Sequence, residues 1–164
     1  MNMSDKGLDA IIKSLGEVAD KTEEMSARAL YQAAGLIADE VKNGLNGLTI
    51  QEDPDGTSPH VGKGQKLHGV TSAQKADLIA AMGIAKFRRN DEYTETSIGF
   101  HGVGSTKSKK HPGGLPNRIL MRAVESGSSI RQKTPVVRPA MTRAKAAAVK
   151  KAEAAFKNEL KKEV

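Results

Sequence analysis

From Leu8 to Leu45 the chain repeats apolar residues at three- and four-residue intervals: Leu8, Ile11, Ile12, Leu15, Val18 and Ala19, then Met25, Ala29, Leu30, Ala33, Ala34, Ile37, Val41 and Leu45. That spacing keeps one face of one helix apolar. Ser4 or Asp5 serves as its cap, and the "NGLNG" run at Asn43–Gly47 as its stop. Unbroken, the helix is roughly 55 Å long at about 1.5 Å per residue, so the rest of a small domain has to be laid against it. The stripe thins at Asp20–Thr22, where a kink or break is allowed.

Few large side chains are available to cover that stripe. Aromatics make up 3% of the 164 residues, Trp is absent, and many apolar positions are alanine, so the expected core is thin and gains from neighbouring subunits. The length suits a single domain spanning 1–164. Cysteine is absent, which removes disulfides, thiolate metal sites and thiol chemistry. Met1–Asp20 has no basic region ahead of an apolar run and does not read as a secretory signal. No apolar run approaches the roughly 20 residues that cross a bilayer, so a soluble protein with no membrane contact is expected.

Beyond the long helix, residues 48–70 carry two prolines and four glycines without a period and predict a long loop. Thr71 or Ser72 then caps a short helix, "SAQKADLIAAM", which ends at Gly83. Thr94, Thr96, Ile98 and Phe100 alternate with Glu95, Ser97 and Gly99, the period of a half-buried strand. A turn at "RRNDE" joins it to a strand at Ile84–Arg88, and the resulting hairpin must pack on helices or on another subunit. The fold class is therefore α+β: a long N-terminal helix, short middle helices, a small antiparallel hairpin and a C-terminal helix.

Residues 101–117, "HGVGSTKSKKHPGGLPN", are glycine-rich and basic and predict an exposed, flexible loop. "NRILMRAVESG" follows as a short helix with Asn117 as cap, Ile119, Leu120, Ala123 and Val124 on the buried face, and Gly127 in the left-handed position at its end. Two prolines then stiffen the segment 128–139: Pro135 restricts Thr134 and Pro139 restricts Arg138, which predicts an extended "TPVVRP". Pro139 suits the first turn of a last helix over about 139–162, with Met141, Ala144, Val149, Ala152, Phe156 and Leu160 on its buried face. The prolines make an elbow that sets the angle of that helix.

Charge is distributed unevenly. Residues 1–60 hold 5 Lys and Arg against 11 Asp and Glu, whereas residues 61–164 hold 21 against 8, within a net charge of +7. Such polarity suits head-to-tail assembly or a basic surface facing a polyanion. Lys107, Lys109, Lys110 and His111 are candidate phosphate contacts without sequence readout. Interleaved aromatics, which a single-strand stacking surface requires, are missing there.

Catalytic and cofactor signatures are also missing. "GVGSTKSK" does not satisfy the phosphate-loop spacing, and no G-x-G-x-x-G occurs. His60, His68, His101 and His111 fall in loops without metal-ligand spacing. Ser126, Ser128 and Ser129 have no nucleophile elbow or base. Neither an enzyme, a cofactor nor a metal is expected.

The order of parts, with "RAVESGSS" leading into "TPVVRPAMTRA", resembles the small tail-completion or head–tail joining proteins of long-tailed bacteriophages and their prophage relatives. The matching positions are Glu125 and Gly127, then Pro135, Arg138, Pro139 and Ala140. Valine stands at positions 136 and 137, where that family often carries an aromatic. The resemblance implies a structural virion protein, one subunit of a six-fold homo-oligomeric ring at the neck. Its partners would be head-completion or connector proteins, tail-terminator or tail-tube proteins, and double-stranded DNA in the channel. It implies a virion location, with assembly in the host bacterial cytoplasm, and an architectural role for Glu125, Gly127, Pro135, Arg138 and Pro139. A small, basic, sequence-nonspecific nucleic-acid-binding protein is the alternative that charge alone supports.

Overall fold

The computed structural model describes residues 5–89 and 94–163, with side-chain surroundings from Lys21 to Arg88 and from Glu95 to Lys162. The expected cap at Ser4, the apolar residues Leu8 to Ala19 as a buried stripe, and most of the "RRNDE" turn lie outside these described residues. The chain forms helices α1 (Asp5–Asn46), α2 (Ser72–Ala81), α3 (Asn117–Ser126) and α4 (Val137–Glu163). Strands β1 (Met82–Ile84), β2 (Arg88–Arg89), β3 (Thr94–Glu95) and β4 (Ile98–Phe100) lie between α2 and α3. The fold is α+β.

α1 runs through Asp20–Thr22 without a break and stops at Asn46, where Gly47 N reaches back to the Asn43 and Gly44 carbonyls, each at 3.2 Å. α4 packs along it antiparallel: Arg143 meets Glu40 at 3.2 Å, and further along Arg28 meets Glu159 at 3.0 Å. The buried face of α4 is Ala140, Ala144, Ala148 and Ala155, opposite Ala29, Ala33, Ala34 and Ala38 of α1. Of the expected face, Ala144 is buried and Ala152 and Phe156 are half-buried, but Met141, Val149 and Leu160 are exposed at 51%, 50% and 41%, which corrects the rest. Small side chains on both helices let the backbones approach, so the alanine row takes the seam and the larger residues flank it.

The core gathers at the C-terminal end of α1. Val41 and Leu45, with Leu48 and Val70 beyond the helix, meet Leu78 of α2, Leu120, Met121 and Val124 of α3, and Val136 and Ala140 at the start of α4. Ile119, expected in the core, is 43% exposed, and Met121 is buried in its stead. Gly44 permits the close approach of α4: a Cβ there would lie 2.6 Å from Val136 Cγ1.

Thr71 caps α2 through a reciprocal box with Gln74: Thr71 Oγ1 accepts Gln74 N at 3.1 Å, and Gln74 Oε1 accepts Thr71 N at 3.4 Å. The helix ends at Ala81, short of Gly83, because Met82 is already extended and opens β1. β1 pairs antiparallel with β4 (Met82 with Phe100, Ile84 with Ile98), and β2 pairs with β3 (Arg88 with Glu95, Arg89 with Thr94). Between Ile84–Ile98 and Arg88–Glu95 the first strand has one residue more than the second, the count of a β-bulge. The hairpin is thus two short ladders, and it starts two residues before the expected Ile84. Phe87, in the bulged stretch, meets Tyr31 of α1 edge-on with ring centroids 5.6 Å apart.

The loop 48–70 contains no helix or strand but is stitched at both ends. Ile50 bridges Val70 and Leu67 bridges Arg131, both parallel. The Gln51 side chain accepts His68 N at 2.6 Å, and Glu52 accepts Ser72 N at 2.7 Å.

Candidate functional site

The N-terminus of a helix leaves its first backbone donors without intrahelical acceptors. In α4 a single carboxylate takes them. Glu125 Oε2 accepts Val136 N at 2.7 Å and Val137 N at 2.9 Å, and Oε1 accepts Arg138 N at 3.0 Å. The next residue is Pro139, which has no N–H to satisfy. Ala140 N then opens the helical ladder by donating to the Val136 carbonyl at 3.2 Å. A negative charge at this position also complements the helix dipole.

The start of α4 is therefore two residues earlier than expected. Arg138 is helical and only the first three residues of "TPVVRP" lie outside the helix, because the carboxylate draws three consecutive amides into one turn and outweighs the restriction that proline places on its predecessor. Glu125 is buried at 9% exposure. Burial pushes its carboxyl pKa upward, but the amides of Val136, Arg138 and Val137, joined by the Arg138 guanidinium, together hold it below the ordinary glutamate value of 4.5. The guanidinium itself lies 3.9 Å away and its side chain is 73% exposed, so Arg138 acts here mainly through its backbone.

Gly127 ends α3 with φ 78° and ψ 171°. The positive φ was expected at a helix end; the extended ψ was not, and it sends the chain straight into the elbow rather than around a left-handed turn. Ser128 Oγ accepts Arg131 N at 3.1 Å and Ser128 N donates to the Arg131 carbonyl at 2.8 Å, closing a turn. Thr134 N then returns to the Val124 carbonyl at 2.8 Å, which brings exposed Pro135 and the following amides beside Glu125. Glu125, Gly127, Pro135, Arg138 and Pro139 thus form one continuous elbow.

The basic loop is a separate feature. Lys107, Lys109 and Lys110 are exposed, whereas His111 is half-buried at the foot of a turn in which Ser108 and His111 exchange backbone bonds at 3.2 and 3.0 Å. Expected to be flexible, the loop is bonded along its length: Val103 bridges Pro116, Leu115 N donates to Thr106 O at 2.8 Å, and Asp77 of α2 accepts Ser105 N at 2.7 Å and Ser105 Oγ at 2.8 Å. Asn117 is not its terminal cap for α3. It is the first helical residue, buried, and donates to the His101 carbonyl at 3.0 Å, while Pro116 occupies the cap position without a side-chain bond.

A cavity of about 620 Å³ lies between the basic loop, through Thr106, Ser108 and Leu115, and Ser128–Arg131. Sequence reasoning also passed over the lysines on α4, of which Lys145, Lys150, Lys151 and Lys157 are exposed. Their signal was a lysine-rich helix with an alanine seam. Among the described residues, no three His, Asp or Glu gather as metal ligands, and no helix is long and apolar enough to cross a membrane. Comparisons with protein-family models, with curated proteins and with solved structures found no match.

Proposed function

We propose that this chain is a structural virion protein, a subunit of a ring at the head–tail junction of a long-tailed phage, which completes the tail or joins it to the head and lines the DNA channel. The observation that carries the proposal is the completed N-terminus of α4: Glu125 and Pro139 leave no free donor there, so the angle between α3 and α4 is set by buried hydrogen bonds. A closed ring needs such a fixed angle in every copy, since small angular errors accumulate around the symmetry axis. The residues involved are those on which the resemblance to neck proteins rests. The exposed Lys107, Lys109 and Lys110 supply charge for a duplex passing through the channel, and adjacent neck and tail proteins would dock on the two ends of the ring.

The test is electron microscopy of particles made when the gene is interrupted in its parent phage or prophage. Filled heads and separate tails are expected; normally joined particles would refute the joining role. A second function, sequence-nonspecific nucleic-acid binding by the isolated chain, is favoured by the exposed lysines of the loop and of α4. Tight duplex binding by the purified monomer with a steep salt slope would support it over the ring.

A further inference from the structure

Arg131 is 6% exposed, and its surroundings do not neutralise it. Its Nη2 donates to Gln74 Oε1 at 3.2 Å, but its Nη1 is buried without a hydrogen-bond partner, and it forms no ion pair with any described residue. Burial presses its pKa down, yet a guanidinium remains charged near neutral pH. A buried cation without an anion is costly, and it persists only where the fold holds it in place. The parallel bridge to Leu67 does so: Leu67 N donates to the Ile130 carbonyl at 2.9 Å and Gln132 N to the Leu67 carbonyl at 2.8 Å.

Arg131 lines the cavity of about 620 Å³, within the range of small-ligand sites. Its floor is polar and ordered by Gln74, whose Nε2 donates to Ser58 Oγ at 3.2 Å and Thr106 Oγ1 at 3.3 Å. Its wall is apolar, made by Leu115, Ile119, Leu120, Ala123 and Ile130. We infer that this cavity binds a small carboxylic acid with an aliphatic body, the carboxylate pairing with the unneutralised guanidinium of Arg131 at the cavity lining and the hydrocarbon covering the wall. A bare inorganic anion would leave the wall wet. The inference is independent of the ring, and its test does not require assembly.

The probe is hexanoate, titrated into the full-length protein and followed by ligand-observed NMR, beside hexanamide as the neutral isostere and acetate as the anion without a body. Saturable hexanoate binding is expected, with hexanamide and acetate each weaker by about tenfold or more, the size of a charge-assisted hydrogen bond or of several buried methylenes. Arg131→Met should abolish the preference for hexanoate over hexanamide. Should that variant fail to fold, Ala123→Phe fills the cavity while leaving Arg131 in place, and loss of hexanoate binding with the helical content kept is then expected. Absence of saturable hexanoate binding by the unaltered protein, equal binding of hexanamide, or full binding by Ala123→Phe would each overturn the inference. Concentration-dependent self-association that Arg131→Met abolishes and hexanoate leaves unchanged would overturn it too, assigning the cavity to a carboxylate side chain of a second copy.

Discussion

At the scale of single residues, Glu125 ties α3 to α4 by accepting three consecutive backbone amides. Replacing it with Gln puts an amide nitrogen against backbone donors and removes the charge, so Glu125→Gln is expected to cost about 1–3 kcal/mol at neutral pH, measured by urea denaturation. The folded-state pKa lies below the ordinary 4.5, so the unfolded chain takes up its proton first as the solution is acidified. The stabilisation is complete above 4.5 and is lost as pH falls through the folded value. The gap between the native protein and Glu125→Gln should therefore hold from neutral pH down to about 4.5 and narrow as the pH falls further, through the folded value, and a gap that stays constant would show that the charge is not what the amides require. Gly44 makes a second residue-scale case. Alanine would raise helix propensity by about 1 kcal/mol, but its Cβ would meet Val136 Cγ1 at 2.6 Å, and the β-branched Val136 is buried with little room to turn. Gly44→Ala is expected to lower stability by about 1–2 kcal/mol net, and by much less when introduced into a Val136→Ala background, where the new Cβ has room.

Among the elements, the α3–α4 elbow works through two separable devices, a carboxylate clamp and a pair of prolines. The clamp uses backbone amides at Val136, Val137 and Arg138, none of which belongs to a proline. Pro135→Gly combined with Pro139→Gly should thus leave the subunit folded and α4 helical by circular dichroism, while widening the range of angles that the arm samples, since glycine restores the backbone freedom that proline removes. If the chain is the neck subunit proposed above, the same double variant should give impaired particle assembly from a folded subunit; normal particles would limit the prolines to a local role.

For the whole molecule, the acidic first 60 residues and the basic remainder share one fold, with α1 and α4 side by side and their charges meeting at Glu40–Arg143 and Arg28–Glu159. Such exposed pairs add little stability, and much of the basic excess stays on the surface. Lys107→Ser, Lys109→Ser and Lys110→Ser together should leave the melting temperature unchanged, because all three side chains are exposed. If they contact phosphates, the salt slope of duplex binding should fall by about 3 in log–log terms, read by fluorescence anisotropy across a salt series. An unchanged slope would return the loop to ordinary solvated surface and shift attention to the lysines of α4.

The long helix, the capping of α2 by Thr71, the hairpin, the short α3 and the helical C-terminal segment were legible from sequence because each is written in local spacing, caps and turn residues. The elbow was legible as stiff chain, since proline restricts its own backbone wherever it stands. What only the tertiary structure decided depends on side chains distant in sequence: which face of α4 is buried, where its first turn begins, and what Glu125 and Arg131 do. Periodicity ranks Met141 and Val149 above alanine, yet close approach of two helices favours the smaller residue. Glu125 reaches amides 11 to 13 positions away, and Arg131 lies 57 positions from Gln74. No local pattern encodes such pairings, because the low-dielectric surroundings that make each bond matter exist only once the chain has folded around it.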